Sequence, residues 1–215
     1  MLRYNVPVRQ VSGVILLAVA PLAWSHPHSF IDMQATLVHK DNQLTGLKMH
    51  WVMDEITSAD LLYDAGEAKP GSVVWKKLAA EVMANVLGQH YFSELWHEGK
   101  AVKFDNLPPE YSLSREGHKA VLDFILPLGE PRPLAGQRYT FSTFDPSYFV
   151  DMYYDSKKSL HIPPELAKQC QFSLHTPKPN ASMQAYALSL DKADAPPEDM
   201  DLGQQFAQTV TLTCQ

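Results

Sequence analysis

The feature that most constrains the fold is a strict alternation of apolar and polar residues in two neighbouring segments, residues 29–39 and 45–53. Successive side chains of a strand point to opposite faces, so each segment predicts a strand with one buried face. A three-residue turn at Asp41-Asn42-Gln43 would join the two strands into a hairpin. Matching their apolar faces requires paired residue numbers that sum to 84. The predicted pairs are Ile31–Met53, Met33–Trp51, Ala35–Met49 and Leu37–Leu47.

The rest of the chain reads as two helices followed by short strands. Residues 54–65 and 72–87 have helical apolar spacing, and Ser72 is a candidate cap for the second helix. A short helix is expected within the proline-rich excursion 177–202. These elements predict an α+β, mostly antiparallel, sandwich-like fold with two helices inserted after the first hairpin. The predicted strands are 91–97, 101–104, 111–115, 119–127, 137–145, 148–154, 170–175 and 209–214.

Residues 1–25 have the layout of a secretory signal peptide. Arg3 and Arg9 give a basic start, and the apolar run 11–24 is shorter than the ~20 residues that a membrane-spanning helix needs. Small residues at Ala23 and Ser25 suit cleavage between Ser25 and His26. The sequence therefore predicts a periplasmic protein, with an uncleaved N-terminal anchor as the alternative.

Cleavage would leave residues 26–215 as a single periplasmic, β-rich domain, which we expect to be a monomer. Loss of two arginines changes the formal net charge from −6 to −8, and this acidity disfavours a nucleic-acid partner. Enzyme motifs such as the nucleophile elbow, the zinc-protease helix and the phosphate-binding loop are absent from the sequence, so no enzymatic activity is expected. The cysteines, Cys170 and Cys214, predict a disulfide bond, with a thiolate metal site as the alternative.

The strongest chemical signal is His26-Pro27-His28 at the predicted mature N-terminus. Pro27 favours extended backbone, which places the two imidazoles on one side about 6.6 Å apart along the chain. The freed α-amine of His26 adds a third nitrogen. The predicted register also brings Asp54 opposite Phe30 and diagonal to His28. Two histidines and a carboxylate are a familiar zinc set.

The predicted metal site therefore comprises His26, His28 and Asp54, with Glu55 as an alternate carboxylate. Copper or nickel is the alternative metal, although Pro27 lacks the backbone amide that a square-planar amine–amide chelate requires. A solvated chain end and a helix-capping Asp54 are the structural alternatives. Asp145, Asp151 and His97 are weaker candidate ligands, and Asp145 before Pro146 also suits an Asx-type turn.

Four stretches of the sequence carry a likeness to a known family: the start His-Pro-His-Ser-Phe-Ile-Asp, Trp51-Val52-Met53-Asp54-Glu55 with Ser58, Tyr91-Phe92, and Phe144-Asp145-Pro146-Ser147-Tyr148-Phe149-Val150. With these residues the chain resembles the domain-of-unknown-function family 1007 over nearly the whole mature chain. The resemblance implies a periplasmic protein of the transition-metal class, because the ZevA-like members are implicated in zinc uptake beside a membrane permease. Other members are labelled substrate-binding components of ABC transporters.

The function expected from the sequence is a periplasmic zinc-binding protein that serves an inner-membrane metal permease or an ABC-type transporter. A copper protein with an N-terminal brace-like site at His26 is the first alternative. A non-metal solute-binding or adaptor protein is the second, and it predicts that replacing His26 and His28 has no effect.

Overall fold

The computed structural model describes residues 27–190 and 201–215, so the predicted signal peptide and His26 lie outside the described residues. The described helices are α1 (Glu55–Ala65), α2 (Val73–Gly88), α3 (Ala181–Ser189) and α4 (Leu202–Phe206). The described strands are β1 (Ser29–Lys40), β2 (Gln43–Met53), β3 (Ser93–His97), β4 (Lys100–Val102), β5 (Tyr111–Glu116), β6 (Lys119–Pro133), β7 (Arg138–Thr143), β8 (Val150–Tyr153), β9 (Leu160–His161), β10 (Cys170–His175) and β11 (Thr209–Cys214).

The strands form two mostly antiparallel sheets, which confirms the predicted α+β, sandwich-like class. One sheet has the order β5-β6-β2-β1-β8, with β9 also pairing with β1; the other has the order β10-β11-β7-β3-β4. Buried residues of both sheets and of α1 and α2 belong to one core cluster. Trp51 lies in this core, with its ring 4.9 Å from that of Phe124 and 6.5 Å from that of Phe92.

The predicted register of the first hairpin is confirmed, but the predicted turn is wrong. Ile31 pairs with Met53 and Leu37 with Leu47, as expected. The turn contains two residues, Asp41 and Asn42, both with positive φ, which is the conformation that two-residue hairpins favour. A bulge opposite Val38 and His39 inserts one extra residue and restores the register.

Glycine is required at this bulge. A Cβ on Gly46 would lie 2.5 Å from the carbonyl oxygen of Leu126 on β6, closer than any ordinary contact. The backbones of β2 and β6 therefore approach more closely here than a side chain permits.

The two helices follow the hairpin as predicted, and α1 is anchored by a buried serine. Ser58 is fully buried; its hydroxyl accepts a hydrogen bond from the Ala120 amide at 2.8 Å and donates to the Met53 carbonyl at 3.3 Å. Ser72 is the N-cap of α2, but its side chain makes no capping hydrogen bond. The short helix expected in the excursion is α3. Among the described residues no helix is long and apolar enough to cross a membrane.

The disulfide bond between Cys170 and Cys214 is confirmed. The two cysteines are direct partners in the antiparallel pairing of β10 with β11. The bond therefore fastens the last strand of the chain to its sheet, and the thiolate metal site is excluded for this pair.

A glutamine side chain holds the end of β8 against the C-terminal part of the chain. The Gln208 Oε1 accepts a hydrogen bond from the Tyr154 amide at 2.6 Å, and its Nε2 donates to the Tyr154 carbonyl at 3.1 Å. The Nε2 also donates to the Thr176 hydroxyl at 2.9 Å. Gln208 thus satisfies both backbone groups of a buried residue, as a neighbouring strand would.

Candidate metal site at the start of the first strand

The first strand begins between β2 and β8, and Phe30 is paired on both sides. On one side the Asp54 amide donates to the Phe30 carbonyl at 3.0 Å, as the predicted register requires. On the other side β8 runs parallel to β1 and places Asp151 in register with Phe30. Two aspartates therefore lie beside the same residue of β1.

His28 lies directly before β1, two residues before Phe30. Its amide donates to the Phe149 carbonyl at 2.9 Å, and the His28 and Phe149 rings lie 5.1 Å apart. His28 precedes Phe30 by two positions, so the two side chains project to the same face of the sheet. Asp151 is the register partner of Phe30 and therefore lies diagonal to His28 on that face.

Asp54 is a capping residue whose carboxylate is fully engaged. Its Oδ1 accepts from the amides of Ile56 at 2.8 Å and Thr57 at 2.9 Å in the first turn of α1. Its Oδ2 accepts from the Thr57 hydroxyl at 2.7 Å and from the Phe30 amide at 2.6 Å. Burial by itself would raise the pKa of Asp54, but these hydrogen bonds outweigh it and lower the pKa below 3.8. Asp54 therefore caps α1, as the structural alternative for this residue predicted.

Glu55 is the first residue of α1, and its side chain is exposed to solvent. A carboxylate at this position interacts favourably with the partial positive charge of the helix N-terminus. Glu55 therefore has a local structural role as well as its predicted role as an alternate ligand.

Asp151 is partly buried like Asp54, but it differs in its hydrogen bonds and in the direction of its pKa shift. Within the described parts of the chain its carboxylate accepts no hydrogen bond. Burial raises the pKa of Asp151, because the charged form loses hydration without gaining a partner. Its charge also contributes, after burial, to raising the pKa of Tyr148 to about 12. A bound cation would stabilise the ionised form of such a carboxylate.

Asp145 is engaged in an Asx-type turn, as its position before Pro146 suggested. Its Oδ1 accepts from the Ser147 amide at 3.0 Å, and its Oδ2 accepts from the Val150 amide at 3.0 Å. Gly203 of α4 packs directly on this turn, where any Cβ would overlap the Asp145 carbonyl. The turn therefore fixes the start of β8, and through it the position of Asp151.

His97 lies on the other sheet and is also engaged. Its Nε2 lies 2.8 Å from the Gln137 Oε1, and its ring stacks on Tyr139 with centroids 4.4 Å apart. In the described ranges, no group of three or more His, Cys, Asp or Glu side chains is arranged to hold a metal ion. The fold brings His28, Asp54 and Asp151 together around Phe30, and of the two aspartates Asp151 is the one whose carboxylate accepts no hydrogen bond from the described residues. His28 lies two residues after His26 in the sequence.

A separate apolar groove of about 500 Å³ lies at the β4 edge of the other sheet. One wall contains His90 and Tyr91, which together with Phe92 have φ values of 49°, 61° and 52°. Three consecutive left-handed residues without glycine store backbone strain, a feature that clusters at functional sites. The lining comes from one continuous stretch, residues 87–106, and no motif in that stretch indicated a groove. The apolar lining includes Leu87, Tyr91, Leu95, Trp96, Val102 and Phe104.

The fold and this site define a class of protein: a two-sheet sandwich with a helical pair inserted after its first hairpin, and a histidine and a carboxylate beside its first strand. The chain belongs to the DUF1007 family, described as proteins of unknown function, whose model matches residues 11–214. It is 37% identical over 192 residues to an uncharacterized protein of Haemophilus influenzae, covering 89% of this chain and 92% of that protein. No solved structure matches the chain.

Proposed function

We propose that this protein is a non-enzymatic, periplasmic zinc-binding protein, and that His26, His28 and Asp151 supply its ligands. The observation that carries the proposal is the parallel pairing of β1 with β8, which sets Asp151 diagonal to His28. Asp151 takes the place of Asp54 as the carboxylate, because the Asp54 oxygens already accept four hydrogen bonds. The Cys170–Cys214 disulfide suits the oxidising periplasm.

The chemistry of this ligand set suits delivery. Two imidazoles and one carboxylate leave an open coordination position on zinc, through which a partner ligand can enter. A site with three protein ligands would release its metal more readily than a closed site with four. The recipient in this proposal is an inner-membrane metal permease or an ABC-type transporter. Copper or nickel would compete for the same nitrogen ligands, and copper binds more tightly at most such sites.

The test is a calorimetric titration of zinc into mature protein that is purified without a tag and begins at His26. The His26→Ala/His28→Ala variant should lose at least about a hundredfold in affinity, because two of three ligands are removed. The matched control is His118→Ala/His175→Ala, which removes two exposed histidines from elsewhere. Equal binding by the parent and the His26/His28 variant would refute the proposal.

A second candidate, solute binding, is favoured by the apolar groove beside β4. Its volume of about 500 Å³ lies in the range of small-molecule pockets. An environment-sensitive apolar dye should bind there and be displaced by Ala101→Glu, which places a charged chain in the groove from an exposed position. Dye binding that is unaffected by Ala101→Glu would exclude the groove as its site.

A further inference from the structure

The outward face of α1 combines exposed apolar side chains with acidic ones. The exposed positions follow one helical stripe, at intervals that keep them on a single side of the helix. Ile56 and Tyr63 are 83% and 86% exposed, and Ala59 lies between them at helical spacing. A single exposed apolar residue is ordinary, but a large aliphatic and a large aromatic residue aligned on one helix face suggest a contact surface.

This face belongs to a rigid helix. Asp54 caps the N-terminus through the hydrogen bonds described above, and the buried Ser58 ties the helix to β6 through the Ala120 amide. Near the other end, an Arg115 Nη atom donates to the Leu62 carbonyl at 3.0 Å. The stripe is therefore presented on a fixed support, so that a partner would bind without ordering it first.

The charges on α1 indicate which kind of partner its exposed face can bind. Glu55, Asp60 and Asp64 are acidic, and residues 55–65 contain no Lys or Arg. A second copy of the same face would bring like charges together, and an anionic membrane surface would be repelled. A polypeptide segment with Lys or Arg beside its apolar side chains is the complementary partner.

The stripe is continuous with the start of β1. The amides of Phe30 and Ile56 both donate to the Asp54 carboxylate, so these two residues flank one group. The Phe30 side chain is 43% exposed and adds a further exposed apolar residue beside the N-terminus of α1. We propose that the α1 surface, defined as Phe30, Ile56, Ala59 and Tyr63 with their acidic neighbours, docks a basic amphipathic helix of a partner protein. This surface adjoins the proposed metal site at Phe30 but contains none of its ligands, His26, His28 and Asp151, and the proposal holds whether or not zinc binds.

The experiment measures binding of a fluorescein-labelled helical peptide of leucine and lysine by fluorescence anisotropy, with a leucine–glutamate peptide as its charge-reversed counterpart. Ile56→Gln/Tyr63→Gln should weaken binding of the leucine–lysine peptide about tenfold, because exposed apolar anchors contribute most of such contacts. Glutamine is a good helix former, so α1 should persist in the variant. Asp60→Asn/Asp64→Asn should reduce the salt dependence of binding.

The matched control is Leu107→Gln/Leu188→Gln, which removes two exposed apolar residues, 76% and 54% exposed, from other surfaces. The control should bind the peptide as the parent does. The proposal would be overturned if Leu107→Gln/Leu188→Gln lost as much peptide affinity as Ile56→Gln/Tyr63→Gln. It would also be overturned if the leucine–glutamate peptide bound the parent protein as tightly as the leucine–lysine peptide. Flotation with phosphatidylglycerol vesicles, or a dimer in sedimentation, that depends on Ile56 and Tyr63 would also overturn it. Zinc affinity should be unchanged in Ile56→Gln/Tyr63→Gln, which separates this test from that of the metal site.

Discussion

Asp54 and Asp151 lie on opposite sides of Phe30, but their hydrogen bonding and the directions of their pKa shifts differ. The Asp54 oxygens accept four hydrogen bonds from α1 and β1, and its pKa is lowered. Asp151 accepts no hydrogen bond from the described residues, and burial raises its pKa. Two carboxylates that both lie diagonal to His28 are therefore not equivalent.

The difference separates carboxylates that stabilise the fold from carboxylates that are available to a ligand. A carboxylate with its lone pairs filled by backbone amides would have to give up those bonds before it could bind a metal. A partly buried carboxylate without such bonds costs the fold some stability, and that cost is relieved when a cation arrives. Each experiment below tests one side of this contrast.

The largest expected effect is on stability, from Asp54→Ala. Loss of the cap and of the link to the Phe30 amide should reduce the free energy of unfolding by about 2 kcal/mol. Urea denaturation of the metal-free protein measures this change. Zinc affinity should stay within about twofold of the parent. A large loss of zinc affinity in the folded variant would instead return Asp54 to the ligand set.

Asp151→Asn tests whether the carboxylate without hydrogen bonds from the described residues binds the metal. The amide keeps the shape of the side chain but lacks its charge, so zinc affinity should fall about tenfold, or about 1.4 kcal/mol. Calorimetric titration at neutral pH is the measurement. Asp155→Asn, an exposed neighbour further along the chain, is the matched control and should bind zinc as the parent does. Parental affinity in Asp151→Asn would show that the third ligand lies elsewhere.

The same Asp151→Asn substitution should stabilise the metal-free protein. Because the folded-state pKa of Asp151 is raised, the fold favours the protonated carboxyl, and the penalty for ionisation grows as pH rises through that pKa. The variant should therefore melt roughly 2 °C higher at pH 7, with the difference vanishing in acid where the parent is protonated. A lower melting temperature at pH 7 would contradict an unpartnered carboxylate.

The smallest expected effect is the acid dependence that Asp54 contributes. Its folded-state pKa is lowered, so its stabilisation is complete above the ordinary value of 3.8 and is lost as pH falls through the lower folded-state pKa. Asp54→Asn keeps one capping oxygen but does not titrate, so the free energy of unfolding should fall less steeply in acid. Parallel stability curves for the parent and Asp54→Asn would argue against the lowered pKa.

Short-range patterns predicted the first hairpin well. Apolar alternation required Ile31 to face Met53, and this pairing forms even though the turn is shorter than predicted. The extra residue moved from the turn into a bulge, because the buried faces of both strands determine the register more strongly than the turn does. The Cys170–Cys214 disulfide and the Asp145 turn were predictable for similar local or compositional reasons.

The parallel pairing of β1 with β8 could not be predicted in this way. About 120 residues separate Phe30 from Asp151 in the sequence, and no turn signal links two strands that run in the same direction. Asp151 therefore ranked below Asp54 as a candidate ligand, although its carboxylate accepts no hydrogen bond from the described residues and that of Asp54 accepts four. The left-handed segment His90–Phe92 was not predicted either. The sequence indicated a strand beginning at Tyr91, whereas the strand begins at Ser93.

The two hydrogen bonds between Gln208 and Tyr154 restrict which side chain can stand at position 208. Its amide meets both the N–H and the C=O of Tyr154, a task that needs one donor and one acceptor at the end of a side chain of this length. Glutamate would lose the donor and set its charge against the Tyr154 carbonyl, lysine would lose the acceptor, and asparagine would be one carbon too short. Each of these three substitutions would therefore break at least one of the two bonds to Tyr154 and loosen the end of the strand that carries Asp151.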